Sequence, residues 1–299
     1  MSLRLGVIGF SAGNGHPYSW SAIINGYSPE LMAHCGFPVI SQYLAEKNWP
    51  EARIPGAEVT HVWTQSIELS QQIADASLIS HVVSAPEEMI GQVDAVLLAR
   101  DDSENHLHFA APFLRAGMPI YIDKPIATSI SALQSLYALQ KYEGQIFTCS
   151  ALRYAREFQM DPLSRENLGP IRYVHASNPK TWEKYAVHTI EPVLMMLGEV
   201  GLPMTANIAP IAPDGRVVTM EFPGRVTATF SSLGTLASGP MSIRVHGETA
   251  WKEMIFSDTF SAFKAALEDF IGGVKSGTCR SSPIFNRRVV SLIEMGVAI

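Results

Sequence analysis

Between residues 5 and 122 the chain repeats one pattern, a short apolar run followed by a stretch with helical spacing. The runs fall at residues 5–10, 59–63, 80–83, 95–99 and 119–122. Continuous apolar runs are what strands of a parallel sheet need when helices cover both faces. Between the last two runs lies HLHFAAPFLRAG. It reads as an amphipathic helix with Arg115 in its last turn and Gly117 as its stop. The pattern predicts an α/β fold opening with a doubly wound Rossmann domain over residues 1–124, where ligands sit beyond the carboxyl ends of the strands. Residues 26–57 break the rhythm. Pro29, Pro38, Pro50 and Pro55 fall there, and the excursion is longer than a βα connection needs. One short helix is expected around residues 39–47, covering part of a cofactor site or making a subunit contact.

The second half has a different rhythm. A helix is expected over residues 130–142, a strand in QIFTCSA, and a helix over residues 181–197 ended by Gly198. MTANIAPI, GRVVTMEF, RVTATFSS and MSIRVHG follow as strands, and alternation in VTATFSS and SIRVHG marks one buried and one exposed face. Helices over residues 259–275 and from 282 onward close the chain. This predicts an α/β domain over residues 125–299 with a largely antiparallel open sheet.

Composition removes several functions. The net charge is −6, from 22 Lys+Arg against 28 Asp+Glu, with no dense basic run, so nucleic acid is not an expected partner. Cys35, Cys149 and Cys279 are odd in number and far apart, giving neither a disulfide framework nor a CxxC zinc pattern. His106 and His108 stand too close on a helix to read as metal ligands, and no metal site is expected. No run is long and apolar enough for a membrane span, and no secretory leader is visible. The expected location is the cytoplasm.

The loop after the first strand is Gly9-Phe10-Ser11-Ala12-Gly13-Asn14-Gly15-His16. Glycines there let backbone N–H groups approach a pyrophosphate at a helix N-terminus. The spacing is G-x-x-x-G-x-G, where G-x-G-x-x-G is usual. Gly9, Gly13, Gly15 and His16 are candidate cofactor contacts, and Ser11 and Asn14 can add side-chain hydrogen bonds. The second strand ends in Thr64-Gln65-Ser66, without the acid that usually reads the ribose 2′-hydroxyl. Gln65 stands at that position, and the choice between NAD and NADP stays open.

Asp123-Lys124-Pro125 follows the fifth strand, where catalytic residues of this architecture gather. The segment LLARDDSENHLHFAAPFLRAGMPIYIDKPIATS closely resembles the strand-four to Glu-Lys-Pro region of the glucose-fructose oxidoreductase / inositol dehydrogenase / rhizopine-catabolism (Gfo/Idh/MocA) family. His106, Gly117, Lys124 and Pro125 fall on that pattern, and Asp123 replaces the commoner Glu. SALRY at 150–154 and YAVHTIEPVLMMLG at 185–198 resemble later family segments. The resemblance implies that Lys124 sits near the nicotinamide and the substrate hydroxyl, and that His188 is the acid/base. The chemistry agrees: an imidazole titrates near neutrality, and an ammonium can hold developing negative charge on oxygen. Asp101, His106 and Asp123 join the cofactor-binding candidates.

Lys184, Tyr185 and Glu191 lie three or four residues from His188, on one helical face. Many family members carry Asp where Lys184 stands. Glu191 could orient His188 instead, or Lys184 and Arg153 could bind an acidic substrate. These four residues are the candidate substrate contacts. The resemblance therefore implies an NAD(P)-dependent dehydrogenase or reductase acting on a hydroxyl or carbonyl of a sugar, polyol or sugar acid. It also implies a homodimer or homotetramer formed through the C-terminal sheet. A non-catalytic NAD(P)-binding regulator and an NAD-assisted glycoside hydrolase or epimerase of the same fold are the rivals.

Overall fold

A computed structural model describes residues 2–297. Six strands form a parallel sheet: β1 (Leu3–Ile8), β2 (Ala57–Trp63), β3 (His81–Val82), β4 (Ala95–Leu98), β5 (Ile120–Ile122) and β6 (Ile146–Phe147). Their order is β3-β2-β1-β4-β5-β6, so the order reverses between β1 and β4. Every residue of β4 and β5 is buried, as the unbroken apolar runs require. The helix His106–Ala116 ends at Gly117, whose φ of 78° is the left-handed turn that glycine takes without strain. Ser66 caps the helix Ile67–Ser77 by accepting from Leu69 N–H.

β6 pairs with β5, so the chain returns to this sheet after the residue-124 boundary drawn from sequence. The first compact unit is accordingly discontinuous: residues 1–126, 134–148 and 263–282. Its aromatic core runs Trp20–Tyr121–Phe147–Phe270, with ring centroids 4.6, 4.7 and 5.6 Å apart.

The excursion holds two short helices, Pro29–Met32 and Pro38–Ala45, where one was expected. Each begins on its proline, the residue that the first helical turn tolerates because it needs no N–H there. Phe37 and Ile40 press against Gly15: a Cβ on Gly15 would lie 2.5 Å from Ile40 Cδ1 and 2.9 Å from Phe37 Cγ. The excursion therefore braces the glycine loop.

The second unit comprises residues 127–133, 149–262 and 283–299. Its strands are β7 (Ile171–Asn178), β8 (Thr205–Ile211), β9 (Gly215–Phe222), β10 (Val226–Ser232), β11 (Ser242–Gly247) and β12 (Trp251–Ile255), in the order β12-β11-β7-β10-β9-β8. Only β7 and β10 pair in parallel. One face is a core of Val174, Ala176, Val218, Met220, Ala228, Phe230, Ile243 and Val245, all fully buried. Helices Val187–Leu197 and Pro283–Met295 pack together, and the first lies against β7. The opposite face carries Tyr173, His246 and Trp251 in one cross-strand row. Among the described residues no helix is long and apolar enough to cross a membrane.

Candidate active site

In the first unit the candidate residues gather at the carboxyl ends of β1, β4 and β5. Ser11 follows β1 and Asp101 follows β4, the two strands between which the order reverses. Ser11 Oγ donates to Asp101 Oδ1 at 2.7 Å and accepts from Asp101 N–H at 3.0 Å. This bridge closes the crevice where open α/β sheets bind ligands. Lys124 follows β5, and its Nζ lies 3.9 Å from Asp101 Oδ2. Lys124 is 4% exposed, so its ammonium and the Asp101 carboxylate face each other with little water between them.

Asp123 is completely buried. Its Oδ2 accepts from Asn14 Nδ2 at 2.9 Å and meets His16 Nδ1 at 2.6 Å, while Oδ1 accepts from Lys124 N–H at 2.7 Å. Burial pushes this carboxyl up. The adjacent His16, the Lys124 ammonium and the Asn14 amide outweigh it and hold the group below the usual carboxylate range. An ionised carboxylate only accepts, so His16 Nδ1 carries the proton of that contact. His16 also stacks on Trp20 at 4.9 Å. The side chains of Ser11, Asn14 and His16, expected at the pyrophosphate, thus bind the protein itself, and Asn14 Oδ1 accepts from His16 N–H.

The glycines divide by role. A Cβ on Gly9 would lie 2.7 Å from Pro17 Cγ, and Gly15 is closed by Phe37 and Ile40, so both serve close packing. Gly13 has φ of 78° and nothing within 4 Å of a Cβ position. It is the glycine of the loop that leaves room for a ligand.

His106 is fully buried. Its Nε2 faces Arg100 O at 2.7 Å and its Nδ1 faces Ile126 O at 3.0 Å. The ring ties the loop after β4 to the loop after β5. Gln65 grips Phe10 at both ends, accepting from its N–H at 3.0 Å and donating to its carbonyl at 2.9 Å. Arg100 Nη1 reaches the same Gln65 oxygen at 3.4 Å, and Asp102 accepts from Arg100 Nε and Nη2 at 3.0 and 2.6 Å.

In the second unit, His188 opens the helix Val187–Leu197 and is buried. The single helix expected over 181–197 is divided at Ala186, after a short turn Trp182–Tyr185. His188 Nδ1 is 2.8 Å from Ser150 Oγ, and Ser150 is anchored by accepting from Leu152 N–H at 3.2 Å. The Tyr185 ring meets the His188 ring edge-on at 5.0 Å, and Tyr185 Oη accepts from Lys180 Nζ at 2.6 Å. Lys184 is half-buried on the short turn.

Glu191, weighed as an orienting partner for His188, is engaged by Arg153, whose Nε lies 2.8 Å from its Oε2. Burial pushes the Glu191 carboxyl up despite that neighbour. The nearby carboxylate keeps Arg153 firmly charged against its own burial. Arg153 also lies over the Phe285 ring at 4.6 Å. Ser150, which begins the SALRY segment, is not marked as a functional residue by the sequence. A serine one residue before a short helical turn looks like an ordinary cap, and nothing local announces a histidine 38 residues away.

The family model for GFO_IDH_MocA, an oxidoreductase family with an NAD-binding Rossmann fold, matches residues 35–150. Over that segment the chain is similar to the Gfo/Idh/MocA oxidoreductases. The match begins beyond the glycine loop, the part whose spacing departs from the usual pattern. Solved structures share the fold across the whole chain. A myo-inositol 2-dehydrogenase from Lactobacillus plantarum is 13% identical, with 98% of this chain and 96% of that chain covered and a TM-score of 0.74. A UDP-N-acetylglucosamine 3-dehydrogenase from Acidithiobacillus ferrooxidans is 14% identical, with 100% and 98% covered and a TM-score of 0.73. GenD2 from gentamicin A biosynthesis, solved in complex with NAD, is 15% identical, with 99% and 93% covered and a TM-score of 0.74. No curated protein matches the chain in sequence. At such identities the structural likeness speaks for the fold, and the match over residues 35–150 is to an NAD-binding oxidoreductase family.

Proposed function

We propose that the protein is an NAD(P)-dependent dehydrogenase or reductase acting on a hydroxyl or carbonyl of a sugar, polyol or sugar acid. The observation that carries this reading is Lys124. It sits at the end of β5, buried, 3.9 Å from an Asp101 carboxylate that Ser11 anchors at the strand-order reversal. A nicotinamide dinucleotide supplies the hydride acceptor or donor. The open side of Gly13 offers its pyrophosphate an approach, and Asp101 and Lys124 stand at the nicotinamide end. The Lys124 ammonium polarises the substrate oxygen and holds its developing charge. His188, oriented by Ser150, takes or returns the hydroxyl proton, and Tyr185 and Lys184 flank it. The substrate class is supported by the polyol and sugar-nucleotide dehydrogenases that share the fold.

The same reading gives a homodimer or homotetramer through the outer face of the second sheet. Tyr173 and Trp251, 37% and 62% exposed, support it, since aromatic side chains are enriched in interfaces. The cytoplasm is the proposed setting, where the thiols of Cys35, Cys149 and Cys279 stay reduced.

Fluorescence titration of NADH and NADPH tests the cofactor reading. Both bind saturably, with affinities within about a hundredfold, or ~2.7 kcal/mol. Absence of saturable binding for both overturns it.

A further inference from the structure

Dinucleotide domains that prefer NAD place a carboxylate at the end of β2, where it accepts from the adenosine ribose 2′-hydroxyl. Here Gln65 stands there, exposed, with its amide held by both backbone groups of Phe10. The group that reaches this corner is Arg100, from the end of β4, with Nη1 3.4 Å from Gln65 Oε1. Its guanidinium lies over the Phe109 ring at 4.5 Å. Asp102 takes Nε and Nη2, leaving Nη1 with only a long contact. Both charged side chains are mostly enclosed, 9% and 14% exposed, where a charge is weakly screened. Burial pushes the Asp102 carboxyl up, but the bonds from Arg100 and Asn105 outweigh it and keep the group ionised. One loop therefore carries a cation suited to a phosphate and the anion that offsets it.

We propose that the Arg100–Asp102 pair reads the adenosine 2′ position of the bound dinucleotide. Arg100 supplies N–H donors to the 2′-oxygens through Nη1, and Asp102 limits how strongly a 2′-phosphate is accepted. This rests on the NAD(P)-binding reading above. A guanidinium is pre-organised for phosphate, and stacking on Phe109 with a two-point grip by Asp102 fixes its plane. With Asp102 in place the pair is neutral, so a 2′-phosphate gains little over a hydroxyl. Glu68, the other acid of this corner, is fully exposed and bonded to Ser66, and water screens its influence.

The test is competition of adenosine 2′,5′-bisphosphate and AMP against NADH, on the full-length protein. In the wild type the two competitors bind within about tenfold of each other. Asp102→Asn raises bisphosphate affinity at least about tenfold and changes AMP affinity less than about threefold. Arg100→Gln/Asp102→Asn, which leaves no buried charge unpaired, weakens the bisphosphate relative to AMP by at least about fivefold from wild type. Glu68→Gln changes neither. Parallel shifts for both competitors in Asp102→Asn, an unaltered ratio in the double variant, or a ratio that moves only with Glu68→Gln overturns the proposal. If Asp102→Asn does not fold, the double variant decides alone. A wild type that binds no NADH defeats the dinucleotide reading itself, a different outcome from NADH binding with an unmoved ratio.

Discussion

His16 Nδ1 lies 2.6 Å from the Oδ2 of a completely buried Asp123, joining the loop after β1 to the residue before Lys124. A glycine-loop residue thereby positions the loop that presents the ammonium. The shorter Asp at a place where the family commonly has Glu is met by two loop side chains, Asn14 and His16, that reach in to it.

Removing His16 leaves that carboxylate buried without its main partner. Breaking a buried pair from one side costs about 3–5 kcal/mol, so His16→Leu should lower unfolding stability by roughly that amount at pH 7 in urea titrations. The sign of the pH effect follows from the depressed Asp123 value. Its contribution is complete above the unfolded carboxyl pKa of about 3.9 and is lost as pH falls through the folded value. In His16→Leu the folded value rises, so stability starts to fall at a higher pH than in the wild type. A cost below about 1 kcal/mol with an unmoved acid limb contradicts this.

Gly13 carries a different expectation. At φ of 78° any side chain is strained, yet a Cβ meets nothing within 4 Å. Gly13→Val should therefore fold while weakening NADH binding about tenfold or more, ~1.4 kcal/mol. Fluorescence titration measures it, and an unchanged Kd in folded protein removes this loop from the cofactor site.

The sequence disclosed the sheet order's ingredients and the Lys124 loop because each depends on local signals. Unbroken apolar runs mark buried parallel strands, and Asp123-Lys124-Pro125 follows one of them directly. It did not disclose β12, whose WKEMI interleaves Lys252 and Glu253 with apolar residues on an edge strand. Nor did it separate Gly15 and Gly9, which pack against Phe37, Ile40 and Pro17, from Gly13, which does not. The Ser150–His188 and Arg100–Gln65 contacts span 38 and 35 residues. Such pairings arise from tertiary packing and leave no periodic trace.

Ser150 holds one nitrogen of His188 at 2.8 Å. A hydrogen bond of this kind contributes about 0.5–1.5 kcal/mol, so Ser150→Ala should reduce kcat up to about tenfold with NADH affinity preserved. Loss of NADH binding in folded Ser150→Ala would give Ser150 a different role.

Replacing the proposed reacting groups should act mainly on turnover and leave cofactor binding nearly intact. His188→Asn and Lys124→Met are each expected to cut kcat by about 10² to 10⁴, the range that positioned proton transfer and charge stabilisation supply. Steady-state kinetics set beside cofactor titrations separates the effects. Variants that retain wild-type turnover remove these residues from the mechanism.

The most direct measurement is net hydride transfer. Purified protein is incubated with NAD or NADP and a panel of polyols, sugars and sugar acids, and with NADH or NADPH and the corresponding carbonyl compounds, while nicotinamide absorbance is followed. Stoichiometric change of the added cofactor is expected with at least one member of the panel, slowed by about 10² to 10⁴ in His188→Asn. Saturable NADH binding with no net change of cofactor across the panel in either direction would contradict it. That result would favour a dinucleotide-binding regulator or an enzyme that recycles its own NAD.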